Sequence, residues 1–410
     1  MSGFAALRHR DFTLFLIAKF CTSVGSQMLV VAVGWQVYAM TGRLLDLGLI
    51  GLSQFLPFIA LALVAGHTAD RHDRRRVLVL CNLALLACSA ALLWLTLGGV
   101  HRVWPIFTAL GGLGIARAFH APAAQAIMPN LVPTSAFSNA VALNSSTWQI
   151  ATVAGPSIGG VLYSLAGGSG AALVYAVVVV LLLGAVVLMS LIRAHQPARS
   201  DAEFSLSQML EGFRFVWRRK PVLGAISLDL FAVLFGGATA LLPAFTSDVL
   251  HAGPDVFGLL RAAPGVGAGI TALLLAFCPI TRRVGVWMFG GVVVFGIATI
   301  VYALSREVWL VLAALAILGA GDMVSVFIRH ILVQMETPDH IRGRVSAVNS
   351  VFIGASNELG EFESGLTAAW LGLIPALVIG GVLTLGVAFL WARVWFPMLW
   401  RMDSFDEPAG

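Results

Sequence analysis

The chain has 410 residues, 59% of them apolar and 11% charged, with a formal net charge of +5. A globular domain is typically about 25% charged, so this composition excludes a soluble protein. The basic excess lies in short polar segments between apolar windows, which argues against a nucleic-acid footprint and for contact with anionic lipid.

Each apolar window is long enough for a hydrocarbon core, which takes about 20 residues per helix. Arg8-His9-Arg10 leads into the first without a small-residue cleavage site, so 12–40 reads as a retained span, not a signal peptide. Further spans are expected at 46–67, 77–98, 104–127, 138–165 and 171–193. After a polar stretch come 222–249, 256–280, 285–304, 308–332, 346–372 and 374–400. The expected fold is an all-α membrane protein of twelve transmembrane helices in two pseudo-symmetric six-helix bundles. Its domains are residues 1–193, a cytoplasmic linker 194–220, and residues 221–410. Ser205 to Phe215 has helical spacing and reads as an interfacial connector, closed by Arg218-Arg219-Lys220. With the N-terminus inside, outer segments hold only Arg43, Arg102 and Arg306, while the loop between spans two and three alone holds Arg71, Arg74, Arg75 and Arg76. The positive-inside rule then places both termini in the cytoplasm. Cys21, Cys81, Cys88 and Cys278 fall in apolar stretches and read as small hydrophobes rather than a disulfide set.

The two halves resemble each other at one gapless offset. Pro133 matches Pro338, Asn144-Ser145 matches Asn349-Ser350, Gly155 matches Gly360, and Gly160 matches Gly365. Parallel repeats of this kind mark secondary transporters, with a binding site at the midplane between the halves.

Gly66, Asp70, Arg71, Arg74 and Arg75 form a Gly-x-x-x-Asp-Arg-x-x-Arg-Arg loop that resembles the signature of the major facilitator superfamily. Gly155, Pro156, Gly159 and Gly160 in span five resemble its antiporter motif, with Ala151 where members often carry glycine. Gly343-Arg344-Val-Ser-Ala-Val-Asn349 and Gly212-Phe213-Arg214-Phe215 are similar to the bacterial exporter branch that includes enterobactin and macrolide exporters. The arginine-led motif that drug antiporters place early in span four is absent; Arg117 comes later. The resemblance implies a multi-pass transporter of the bacterial inner membrane, working as a monomer by alternating access. It implies proton-coupled export of an amphipathic small molecule, a siderophore or drug. A lipid-related transporter of the same fold is the alternative. A membrane enzyme lacks support, since no Gly-x-Ser-x-Gly, Walker loop or His-Glu-x-x-His is present. No metal-ligand spacing occurs, and no cofactor is expected.

Individual residues carry their own expectations. The carboxylate of Asp70 can sit against the positive N-terminus of span eleven as a latch on the cytoplasmic side, with Arg71, Arg74 and Arg75 bracing it or serving only as topology signals. The small residues Ala151, Gly155 and Gly159 allow close helix approach, and Pro156 bends its helix. Intramembrane charge costs about 2.5–3.5 kcal/mol on insertion scales, so each such residue needs a reason. Arg117 and Asp322 are repeat equivalents, joined across a cavity or each satisfied in its own half. Gln27 is expected to line that cavity. Ser350, Asn357, Glu361 and Ser364 share one face of span eleven, with Glu358 beside Glu361. These two carboxyls are candidates for carrying the coupling proton or meeting a cationic part of the substrate. Asp229 is expected to contact substrate or to pair with a cytoplasmic arginine. His120 and His330 read as hydrogen-bonded residues near helix ends.

Overall fold

In lipid, every backbone N–H and C=O must be satisfied internally, and a helix does this within one segment. The computed structural model describes residues 5–193, 206–338 and 341–405. The first half holds α1 (Arg10–Thr41), α2 (Leu44–Arg71), α3 (Arg74–Leu97), α4 (Trp104–Ile127), α5 (Phe137–Leu165) and α6 (Gly170–Ser190). Then come α7 (Leu206–Arg218), α8 (Lys220–Phe235), the short α9 (Leu242–Ala244), α10 (Pro254–Phe277) and α11 (Val284–Leu304). The chain closes with α12 (Val308–Glu336), α13 (Arg342–Leu371), α14 (Leu373–Leu390) and the short α15 (Pro397–Arg401). Among the described residues, nine helical segments are long and apolar enough to cross a membrane. The long helices α4, α5 and α13 complete the twelve. They miss that apolar standard because they carry polar load, including Arg117 on α4, Asn144 and Gln149 on α5, and Glu358 and Glu361 on α13.

Span seven, expected over 222–249, is found as the apolar segment Lys220–Val249, but its regular helix α8 stops at Phe235. A tight turn (Ala238–Leu241), α9 and a wider turn (Phe245–Val249) follow. The break lies at a close approach: a Cβ on Gly237 would lie 2.5 Å from the backbone of Gly360 on α13. Irregular backbone at membrane depth is tolerated where protein buries it. Leu241, Leu242, Ala244 and Phe245 are all fully buried. The freed amides find local carbonyls, Gly236 donating to Ala232 at 2.9 Å and Ala252 to Thr246 at 2.9 Å.

The chain groups into two compact units. Unit 1 comprises Met1–Gly42, Leu52–Ala202 and Gly253–Ala262. Within it, α1 packs on α5 and α6, and α3 on α4 and α6. Its apolar core includes Phe12, Phe15, Leu78, Ile127 and Met189. Buried polar groups are tied helix to helix: Thr22 donates to Asn82 at 2.9 Å, Tyr175 to Gln36 at 2.7 Å, and Gln36 to Thr96 at 3.0 Å.

Unit 2 comprises Arg43–Gly51, Glu203–Ala252 and Ala263–Gly410. Within it, α11 packs on α12 and α14, and α13 packs on α7, α8 and α14. One core gathers Leu228, Phe289, Val292, Ile328 and Trp391. A second, with Val216, Val222, Ile226, Val333 and Val345, fastens α7 to α8, α12 and α13. The linker helix is therefore docked on this unit. Glu211 pairs with Arg344, and a Cβ on Gly212 would meet Arg344 at 3.0 Å.

Candidate functional site

The short loop between α2 and α3 works through carbonyls. Asp73 caps α3, its Oδ1 accepting from the amides of Arg75 at 2.9 Å and Arg76 at 3.2 Å. Arg74 donates to the carbonyl of Ala126 at 3.0 Å, in the last turn of α4. Arg75 donates to the carbonyl of Ser190, the last residue of α6. The C-terminus of a helix carries unpaired carbonyls and partial negative charge, so a guanidinium there is stabilising. Arg74 and Arg75 thus tie together three helix ends of unit 1. Arg71 is exposed. The surroundings of Gly66 and Asp70 lie outside the described residues.

The span-five motif is packed. Ala151, Gly155, Pro156, Gly159 and Gly160 are all buried on an unbroken α5. A Cβ on Gly155 would lie 2.5 Å from the Cβ of Gln27, and one on Gly159 3.1 Å from the Met28 Cα. This face lets α1 lie directly on α5. Gln27, partly buried, sits in that contact.

Two intramembrane cations of unit 1 are held by amide oxygens. Arg117 is exposed and donates to Gln54 Oε1 at 3.1 Å. Lys19, which the sequence reading passed over although it is the one charged residue within span one, donates to Asn144 Oδ1.

Unit 2 is built differently. Asp229 on α8 is 6% exposed, and its Oδ2 forms an ion pair with Nη1 of Arg329 on α12, itself 2% exposed. Asp229 was expected to contact substrate or to pair with a cytoplasmic arginine; its partner is Arg329, inside span ten near the end of that span. Asp229 and Asp322 line one small cavity together with Ala232, Val233, Val292, Phe295 and Ser325. The cavity is about the size of a single water molecule. Asp322 therefore lies beside a carboxylate and close to its guanidinium partner.

On α13, Ser350 and Asn357 are exposed and Ser364 is buried. Asn357 donates to the carbonyl of Ile353 at 3.0 Å, and Glu363 accepts from Thr367 at 2.7 Å. Glu358 and Glu361 are partly buried. The carboxylate of Glu361 lies over the Arg43–Gly51 segment, 3.0 Å from where a Gly51 Cβ would stand. Among the described residues, no group of histidine, cysteine and carboxylate side chains is placed to hold a metal ion.

A family model described as transmembrane secretion effector matches residues 1–408. The chain belongs to that family. It is 27% identical over 417 residues to the multidrug efflux pump Tap of Mycolicibacterium fortuitum, covering 96% of this chain and 98% of the relative. It is 29% identical over 381 residues to the enterobactin exporter EntS of Citrobacter koseri, covering 90% and 86%. Its fold matches the inward-facing crystal structure of a bacterial homologue of the human lysosomal transporter Spinster, with TM-score 0.74 and 18% identity over 95% of this chain and 98% of that one. This secretion-effector chain is thus a multi-pass membrane transporter of the major facilitator fold, among relatives and neighbours that are transporters. Within it, Arg329 and Lys19 are the residues that sequence reasoning missed. The available signal was the same for both: a full charge within an apolar run.

Proposed function

We propose that this secretion-effector protein is a secondary active exporter. It works by alternating access and couples proton entry to the outward movement of an amphipathic small molecule, a drug or siderophore, across the bacterial inner membrane. Both termini lie in the cytoplasm, and the chain acts as a monomer in contact with membrane lipid. The observation that carries this reading is the group formed in unit 2 by the buried pair Asp229 and Arg329 and the partly buried Asp322. Ionisable residues inside a membrane are expensive and mark ion pathways and proton relays, and these sit on two helices of one bundle. Similarity to Tap and to EntS supports the export direction and the substrate class. The exposed side chains of Asn357 and Arg117, with the carboxyls of Glu358 and Glu361, are the candidate contacts for the transported molecule.

The test is counterflow in proteoliposomes with a panel of cationic dyes, macrolides and catecholate siderophores, each run with and without an imposed pH gradient. Saturable counterflow of at least one compound, with gradient-driven accumulation above its equilibrium level, is the expected result. Counterflow that ignores the gradient for every transported compound would overturn the coupling.

A further inference from the structure

The group in unit 2 does not balance its charge. Arg329 carries one positive charge, and a guanidinium does not lose it in proteins. Asp229 and Asp322 carry two carboxyls. The guanidinium of Arg329 is committed to Asp229. Among the described residues, no cation pairs with Asp322.

Among the residues that line the cavity, Asp229 and Asp322 are the charged ones, and Arg261 on α10, one turn from Pro264, has an interaction of its own. Asp229 faces it from α8, and α11 contributes only Val292 and Phe295. Helix α10 meets α12 through Pro264 and Gly267, at Gly319 and Ala316. On α12 itself the next titratable residue is His330, which is exposed. Glu336, at the end of that helix, pairs with Arg219 at 2.7 Å.

A buried polar group is left incomplete beside the cavity: among the described residues, Nε of Arg329 has no hydrogen-bond partner. Ser325 lines the cavity and is 4% exposed. Ser325 stands one turn from both Asp322 and Arg329 on a shared face of α12. A buried donor or acceptor without a partner costs free energy, so this site is built for something small and polar.

We infer that the cluster is a one-proton site: Asp229 and Asp322 together hold a single proton, and Arg329 balances the carboxylate that remains. With both carboxyls ionised the group bears one net negative charge in a water-sized space. One proton makes it neutral. The step forms an O–H bond on a carboxylate oxygen and takes the proton from water, with no change of oxidation state. The water-sized cavity gives the proton a route between the two carboxyls, and the Ser325 hydroxyl can donate to whichever of them is ionised. The inference deepens the proton-coupled reading above and rests on it for its role in transport.

Infrared difference spectra of the full chain in lipid bilayers test the site without any cargo. The signal is the carbonyl stretch of a protonated carboxyl, compared between neutral and alkaline pH. The wild type is expected to lose one such carboxyl on alkalinisation. Asp322→Asn and Asp229→Asn are each expected to remove that signal, because one carboxyl beside Arg329 is already balanced. A wild-type signal retained in Asp322→Asn would overturn the inference. So would retention in Asp229→Asn, which would make the proton a property of one carboxyl alone. If Asp229→Asn does not fold, Asp322→Asn decides the matter. Loss of the signal on adding sodium at constant pH would show a metal-cation site and would also overturn it. Dye efflux from the wild type is measured separately. Efflux indifferent to a pH gradient, with the carboxyl signal intact, would overturn the transport reading and leave the proton site standing.

Discussion

The two units place charge in the membrane by different chemistry. In unit 1 the charges are cations held by amides, Lys19 by Asn144 and Arg117 by Gln54. In unit 2 they are carboxyls, with the guanidinium of Arg329 set against Asp229. An amide oxygen accepts a hydrogen bond but does not take up a proton near neutral pH, so each of these cations faces a neutral partner. A carboxylate can gain and lose a proton, so unit 2 can change its charge. The repeat equivalents Arg117 and Asp322 embody the contrast at one position of the shared fold. One unit sets its membrane charge against neutral amides, and the other sets a guanidinium against a carboxylate.

This contrast predicts graded costs for removing partners. The largest effect is expected for Arg329→Met, which strands the carboxylate of Asp229 in the protein interior. Breaking a buried pair from one side costs about 3–5 kcal/mol. The melting temperature in detergent should fall steeply, and the double replacement Asp229→Leu/Arg329→Met should recover much of the loss. An unchanged melting temperature in the single variant would show that the pair is not buried. An intermediate effect is expected for Asn144→Leu. Lys19 is partly buried, and a hydrogen bond to a charged group contributes about 1.5–3 kcal/mol. The smallest is expected for Gln54→Leu. Arg117 is exposed, water can replace the amide, and the change should stay below about 1 kcal/mol. Thermal melts of the three variants, ranked side by side, check the order; a reversal of the first and third would break the comparison between the units.

The twelve helices were legible because hydropathy reports on lipid directly, and α4 begins and ends at the residues expected from the apolar run. The break in span seven was not legible. Gly236-Gly237 reads as a tolerable pair within an apolar stretch until Gly360 of α13 is placed against it. The partner of Asp229 was hidden for a related reason. Helices α8 and α12 are far apart in sequence, and only packing brings Asp229 to Arg329 rather than to a loop arginine. The roles of Arg74 and Arg75 were partly visible as charge, but their targets are the backbone carbonyls of Ala126 and Ser190. Carbonyls at helix ends have no residue type to read. Lys19 and Arg329 were visible as letters and were passed over, which shows that every charge inside an apolar run needs a named partner.

The central claim is that the switchable charge of unit 2 links proton movement to transport. Active accumulation and passive exchange of a cationic dye, measured in the same proteoliposomes for the wild type and for Asp322→Asn, test it most directly. The account predicts that Asp322→Asn keeps exchange and loses accumulation driven by a pH gradient. Full gradient-driven accumulation in Asp322→Asn would contradict it.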